Sequence, residues 1–186
     1  VQTCALPILA RLIGMQSLPD ELLCAVLDQM PVARLALREL DDAPAAMPIV
    51  FARAEGALWM PIDSKPKRGD RRPARLAQLE RAPGVMLVLD HYEDDWSRLW
   101  WIRLRCTASV ITGKHPAWGA AEAALADKYP QYQTTPMFDA EPTLVRFEWR
   151  AVSAWEGGPH ALARWVRDWA PARSEEHTSE LQSRFG

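Results

Sequence analysis

The sequence predicts an α+β fold: six mostly antiparallel strands, closed or nearly closed into a small barrel, with flanking helices. Three observations point there. Short apolar runs of strand length recur between turn residues. Helical stretches fall among them without the regular strand and helix alternation of a parallel sheet. Closure is also how a short-stranded antiparallel sheet removes its exposed edges.

The first element is a helix in SLPDELLCAVLDQMP (17–31). Ser17 and Asp20 offer caps and Pro19 suits a first turn. Leu22, Leu23, Val26, Leu27 and Met30 recur at helical spacing until Pro31 ends the run. VARLALREL (32–40) alternates as a strand, and DDAPA follows as a turn. AMPIVFARAEGALWMPID then divides at Ala54-Glu55-Gly56 into apolar runs over 47–52 and 57–62, as a hairpin would. Three strands in succession predict an antiparallel meander.

A helix over 73–81 turns Leu76 and Leu79 inward and ends at Pro83-Gly84. VMLVLD (85–90) is a continuous apolar strand. RLWWIRLRCTASVIT (98–112) is a long one, with Trp100, Ile102, Leu104 and Cys106 facing one way and Trp101, Arg103 and Arg105 the other. An alanine-rich helix (116–129), a strand (143–155) and a last helix, PHALARWVRDWA, complete the chain.

Of 186 residues, the first eight (VQTCALPI) and the tail 173–186, with its RSEEHTSELQS, resemble peptides encoded by sequencing-library adapter DNA. The expected organisation is therefore one domain over 9–172 between two foreign segments, 1–8 and 173–186. The net charge of -2 becomes -1 without Arg173, Arg184, Glu175, Glu176 and Glu180. A near-neutral chain supports neither nucleic acid nor anionic membrane as a partner. Cys4 lies in the foreign segment, and Cys24 and Cys106 have no CxxC or Cys/His spacing, so neither disulfide nor metal is expected. With no apolar run of membrane-spanning length and no leader, a cytoplasmic protein is expected.

Two segments carry candidate chemistry. In IDSKPKRGDRRPAR, Lys65, Lys67, Arg68, Arg71, Arg72 and Arg75 cluster where a strand ends and a helix begins. Backbone amides and cations can converge there on a phosphate, although a solvated basic connection fits the residues equally well. DHYEDDWSRLWWIR (90–103) sets three tryptophans beside acids and arginines. Some of its indoles must be core, its acids read as a solvated turn rather than a calcium loop, and its tip must reach a surface or interface. Ser64 and Ser97 lack a GxSxG elbow, no HExxH, Walker or GxGxxG loop occurs, and His91, His115 and His160 are scattered singly. No catalytic side chain is identified, so in an enzyme the reactive atom would come from a cofactor.

PVARLAL, APAAMPIVFA, DSKPKR and APGVMLVLDHYEDDWSRLWWIR, in that order, resemble the pyridoxamine 5'-phosphate oxidase-like superfamily of flavin-binding split β-barrels. Within it, DSKPKR, DHY-acidic-DWSRLWW and KYPQY (128–132) are similar to the group of F420-dependent oxidoreductases. The resemblance covers residues 31–155. It implies a homodimer with two cofactor sites at the subunit interface. Pro48, Ile49 and Val50 would run beside the isoalloxazine or deazaflavin ring, Ile62, Asp63 and Ser64 would form the next strand end, and Lys65, Lys67 and Arg68 would hold the phosphate. Residues 96–101 would lie near the dimer interface. The chain departs from the family at Asp42-Ala43-Pro44, which lacks the usual turn glycine, and at Gln78, where the family usually has asparagine.

The implied activity is hydride transfer between coenzyme F420, or FMN, and a small substrate. The alternatives are a non-catalytic flavin or deazaflavin carrier or sensor, and a structural dimer with an empty pocket.

Overall fold

Residues 18–62, 73–113, 115–138 and 141–172 are described by the computed structural model of the chain. In order they form α1 (Asp20–Gln29), β1 (Ala33–Arg38), β2 (Pro44–Ile49), β3 (Ala52–Ala54), β4 (Ala57–Pro61), α2 (Ala74–Arg81), β5 (Gly84–His91), β6 (Trp100–Thr112), α3 (Trp118–Lys128), β7 (Thr143–Glu156) and α4 (Ala161–Ala172). All seven strands join one antiparallel sheet in the order β2-β1-β5-β6-β7-β4-β3. The α+β class and the antiparallel sheet with flanking helices are as expected. The described residues form seven strands rather than six.

The extra strand arises from the run over 47–52, which is not one strand. It bends at Val50 and Phe51: the part before the bend pairs with β1, and Ala52–Ala54 pairs with β4. β2 and β3 are thus opposite edges of the sheet, not neighbours in a meander. Their ends are three residue steps apart, so they lie within about 11 Å of each other. The sheet has to curl to satisfy this, yet no ladder joins β2 to β3 and the barrel is not closed. Pro44 and Pro48 suit an edge strand, where a missing N–H need not break a ladder.

The β3–β4 turn has positive φ at Glu55 (48°) and Gly56 (70°), the combination that matches strand twist in a two-residue hairpin. α1 begins after Pro19, and neither Asp20 nor any other described side chain caps it; Ser17 lies outside the described residues. In β7, Arg105 pairs with Ala151 while Cys106 pairs with Trp149, leaving Arg150 as the extra residue of a bulge that sharpens the local bend.

The curl creates two cores. Inside it, Leu35, Leu58, Met60, Leu87, Leu104 and Phe147 pack with Leu23 and Leu27 of α1, Leu76 and Leu79 of α2, and Leu162 and Trp165 of α4. Outside, Ala57, Trp59 and Leu144 pack beneath Ala121 and Leu125 of α3. β4 is therefore buried on both faces, so all five of its residues are buried and its sequence shows no alternation. β6 alternates as the sequence predicts, with Trp100, Ile102, Leu104 and Cys106 inward. Burial pushes the Cys106 thiol up to about 12, so it is a packing group rather than a nucleophile.

Leu104 has 0% exposure at the middle of the sheet. Leu104→Ala is expected to cost about 2–5 kcal/mol in urea denaturation, and a cost below about 1 kcal/mol would contradict its position.

Candidate functional site

Directly paired residues on neighbouring strands point to the same side of a sheet. On the outer side, Pro48 of β2 stands opposite Arg34 of β1, then Val88 of β5, Arg103 of β6 and Ser153 of β7. The next row toward the β5–β6 connection is Asp90, Trp101 and Trp155. α3 packs on the β3 and β4 end of the outer side, while Pro48, Arg34, Arg103, Arg105 and Trp155 are exposed.

A groove of about 810 Å³ follows this outer face, with Arg34, Asp90, Trp96, Trp101, Arg103 and Trp155 among its walls. Arg34 donates to one Asp90 oxygen at 3.2 Å, and the other oxygen is buried without a partner. The Arg103 guanidinium carbon sits 4.4 Å from the Trp101 ring centroid. A guanidinium stacked in this way is held in place while its N–H edge can engage a carboxylate or phosphate in two parallel bonds. The groove thus offers flat indole surface and a cation fixed against it.

The β5–β6 connection supplies one end of the groove. Trp100 is core: it is 1% exposed and meets Trp165 of α4 edge-on, with ring centroids 4.9 Å apart. Trp96, in a single 3₁₀ turn (Trp96–Arg98), is 74% exposed. The acids are divided between structural duties and solvent. Glu93 bonds His91 Nε2 at 3.0 Å and ion-pairs with Arg98, which also reaches Asp168 of α4 at 3.7 Å. Asp95 accepts from Ser97 N at 3.0 Å and from Ser97 Oγ at 2.8 Å, while Asp94 is exposed.

Behind the turn, Arg164 of α4 donates to the Ser97 carbonyl at 2.8 Å and Glu156 accepts from Leu162 N at 2.7 Å. Gly157 and Gly158 lie so close that a Cβ at Gly158 would be 2.6 Å from Ser97 O and one at Gly157 would collide with Trp96 O. α4 therefore holds the exposed indole end of the groove in place.

Of the expected site residues, Pro48 is on the groove's face beside Arg34, but Ile49 turns into the inner core and Val50 is half-buried against the second cluster. Ile62 is half-buried, its N–H bonded to Thr143 O at 3.0 Å. Asp63, Ser64, Lys65, Lys67 and Arg68 lie outside the described residues. Arg34 and Trp155 are not among the residues expected from sequence, and Asp90 opens the 90–103 segment without a role of its own. Alternation in β1 could have turned Arg34 outward, but nothing local shows that it faces Asp90, 56 residues away. No group of three metal-ligating side chains occurs among the described residues, and no described helix is long and apolar enough to cross a membrane.

No protein-family model and no curated protein matches the sequence. Solved structures do resemble the fold. The heme storage protein HutZ from Vibrio cholerae has a TM-score of 0.57 at 11% identity, over 74% of this chain and 93% of that one. An FAD-binding protein from Mesorhizobium loti has 0.55 at 17%, over 76% and 96%. A putative pyridoxamine 5'-phosphate oxidase from Listeria innocua has 0.51 at 15%, over 73% and 95%. Identities this low establish the fold alone: the chain shares the α+β architecture of these structures.

The Ser97 side-chain and backbone bonds hold the Asp95 carboxyl below its ordinary 3.8. Its stabilisation of the turn is complete above that ordinary value and is lost as pH falls through the lowered one. Ser97→Ala should raise the Asp95 midpoint in a carboxyl NMR titration, and an unchanged midpoint would contradict the assignment. Gly158→Ala, meeting backbone rather than a flexible side chain, should destabilise by about 1–3 kcal/mol in thermal melts. An unchanged melt would mean that the β7–α4 connection does not press on the turn.

Proposed function

We propose that the chain binds a flavin-type cofactor on the outer face of its sheet and acts as an oxidoreductase, moving a hydride between coenzyme F420, or FMN, and a small substrate. The observation that carries this reading is the row from Pro48 through Arg34 to Arg103, bordered by Trp96, Trp101 and Trp155. It combines a flat aromatic surface with a fixed guanidinium, the requirements of a planar ring bearing an anionic tail. The ring would lie along Pro48, Ile49 and Val50, with the Ile49 and Val50 contacts made by backbone, and its phosphate would be held by Lys65, Lys67 and Arg68 beyond Ile62, Asp63 and Ser64. The likeness to an FAD-binding protein supports a flavin-type ligand. The preference for F420 rests on the DWSRLWW and KYPQY resemblance.

When bound, the cofactor supplies the hydride chemistry. The chain's residues bind and orient it and exclude water, and no side chain has to act as an acid or base. The exposed face, with its tryptophans and arginines, has the composition of a protein interface core, which supports a homodimer with two sites between subunits. The second reading is a non-catalytic carrier or sensor. It is favoured by the absence of an evident catalytic set among the described residues and by the likeness to a heme storage protein.

Fluorescence titration of the full chain with F420 and FMN in parallel tests the reading. Binding of either cofactor is expected, with Arg103→Ala weakening it about tenfold and Lys65→Ala/Lys67→Ala weakening it further. Wild-type binding of neither cofactor would overturn the proposal, and unchanged affinity in the lysine variant would overturn the phosphate assignment. Oxidation of the reduced complex by an electron acceptor should outpace that of free reduced cofactor if the protein is an enzyme and match it if the protein is a carrier.

A further inference from the structure

We infer that Tyr129, at the end of α3, is the positioning residue for the ring-side stretch 48–50, a role that rests on the cofactor reading above. Phe51 belongs to neither the β1–β2 ladder nor the β3–β4 ladder, and it is completely buried. Its backbone groups therefore need partners other than strands. Tyr129 provides them: its hydroxyl oxygen accepts from Phe51 N at 2.9 Å and lies 2.7 Å from Phe51 O and 2.9 Å from Pro31 O, the two carbonyls toward which its proton can donate.

Lys128 contacts the same residue through its ring. Its ammonium is 3.9 Å from the Phe51 ring centroid and donates to Leu27 O at 2.7 Å, in the last turn of α1. Two successive side chains at the end of α3 thus tie the β2–β3 corner, where Phe51 is 78 residues from Tyr129 in sequence, to the end of α1 and the α1–β1 connection. β2 is an edge strand with a ladder on one side only. Its end at Ile49 and the adjoining Val50 are therefore located by the β1 ladder on one hand and by the fixed corner on the other. Tyr129 is 5% exposed and faces the inside of this corner, so it acts through Phe51 rather than on a ligand.

The test uses Tyr129→Phe, which keeps the ring and removes the hydroxyl, and Lys128→Met as a second variant that keeps the stem. Val85→Ala, in the inner core at the end of β5 away from both the groove and the corner, controls for loss of stability elsewhere. Each full-length variant is assayed for FMN and F420 affinity and for amide hydrogen exchange at Phe51. The expected result for Tyr129→Phe is Phe51 exchange at least tenfold faster and a dissociation constant about tenfold higher, while Val85→Ala lowers the melting temperature and leaves affinity unchanged. Unchanged affinity in folded Tyr129→Phe, or equal weakening by Val85→Ala, would overturn the role. If the wild type binds neither cofactor, the cofactor reading fails and this role falls with it; exchange at Phe51 that is the same in both proteins would show instead that the hydroxyl does not hold the corner.

Discussion

The structure depends on a short tether: two residues, Val50 and Phe51, connect strands at opposite edges of a seven-stranded sheet. A flat sheet of that width would hold its edges far more than two residues apart, since neighbouring strands are spaced by about 4.8 Å. Curling is therefore compulsory. It defines an inside, filled by the larger apolar cluster and closed by α1, α2 and α4, and an outside on which, among the described residues, only the β3–β4 end receives a helix. The corner at Phe51 is where this constraint is met, and its backbone bonds to Tyr129 satisfy groups that a continuous ladder would otherwise have paired.

The same curl explains why the candidate site lies on the outside. The inner face is filled by Leu, Phe and Trp side chains, whereas the outer rows of β1, β5 and β6 carry Arg34, Asp90, Trp101, Arg103 and Arg105. Apolar surface is what is costly to leave solvated here, and Trp96, 74% exposed, and Trp155, 47% exposed, present it on this face. α4 contributes indirectly. Its Trp165 locks Trp100 into the core while its arginine and aspartate secure the neighbouring turn, so Trp96 is presented from a rigid base.

Much of the fold was legible because burial and periodicity coincide. β1 and β6 are wet on one face and alternate, α1 shows its helical stripe, and the Glu55-Gly56 turn announces its hairpin. The corner was not legible, because residues 47–52 form an uninterrupted apolar run and a bend within such a run changes pairing without changing composition. The site was legible only in part. The outward turn of Trp101 and Arg103 follows from strand period, but the meeting of Arg34 with Asp90 and of Trp101 with Trp155 is a matter of register between strands distant in sequence. KYPQY stood out as a string, yet the task of Tyr129 becomes apparent only when Phe51 is seen to lack a ladder.

The most direct measurement of the central claim, that a flavin-type cofactor lies on the outer face, is an indole N–H NMR titration of the full chain with FMN and with F420. The account predicts that Trp96, Trp101 and Trp155 shift with a saturable dependence on at least one cofactor while buried Trp59 and Trp165 hold still. Shifts confined to the buried indoles, or none at all, would contradict it.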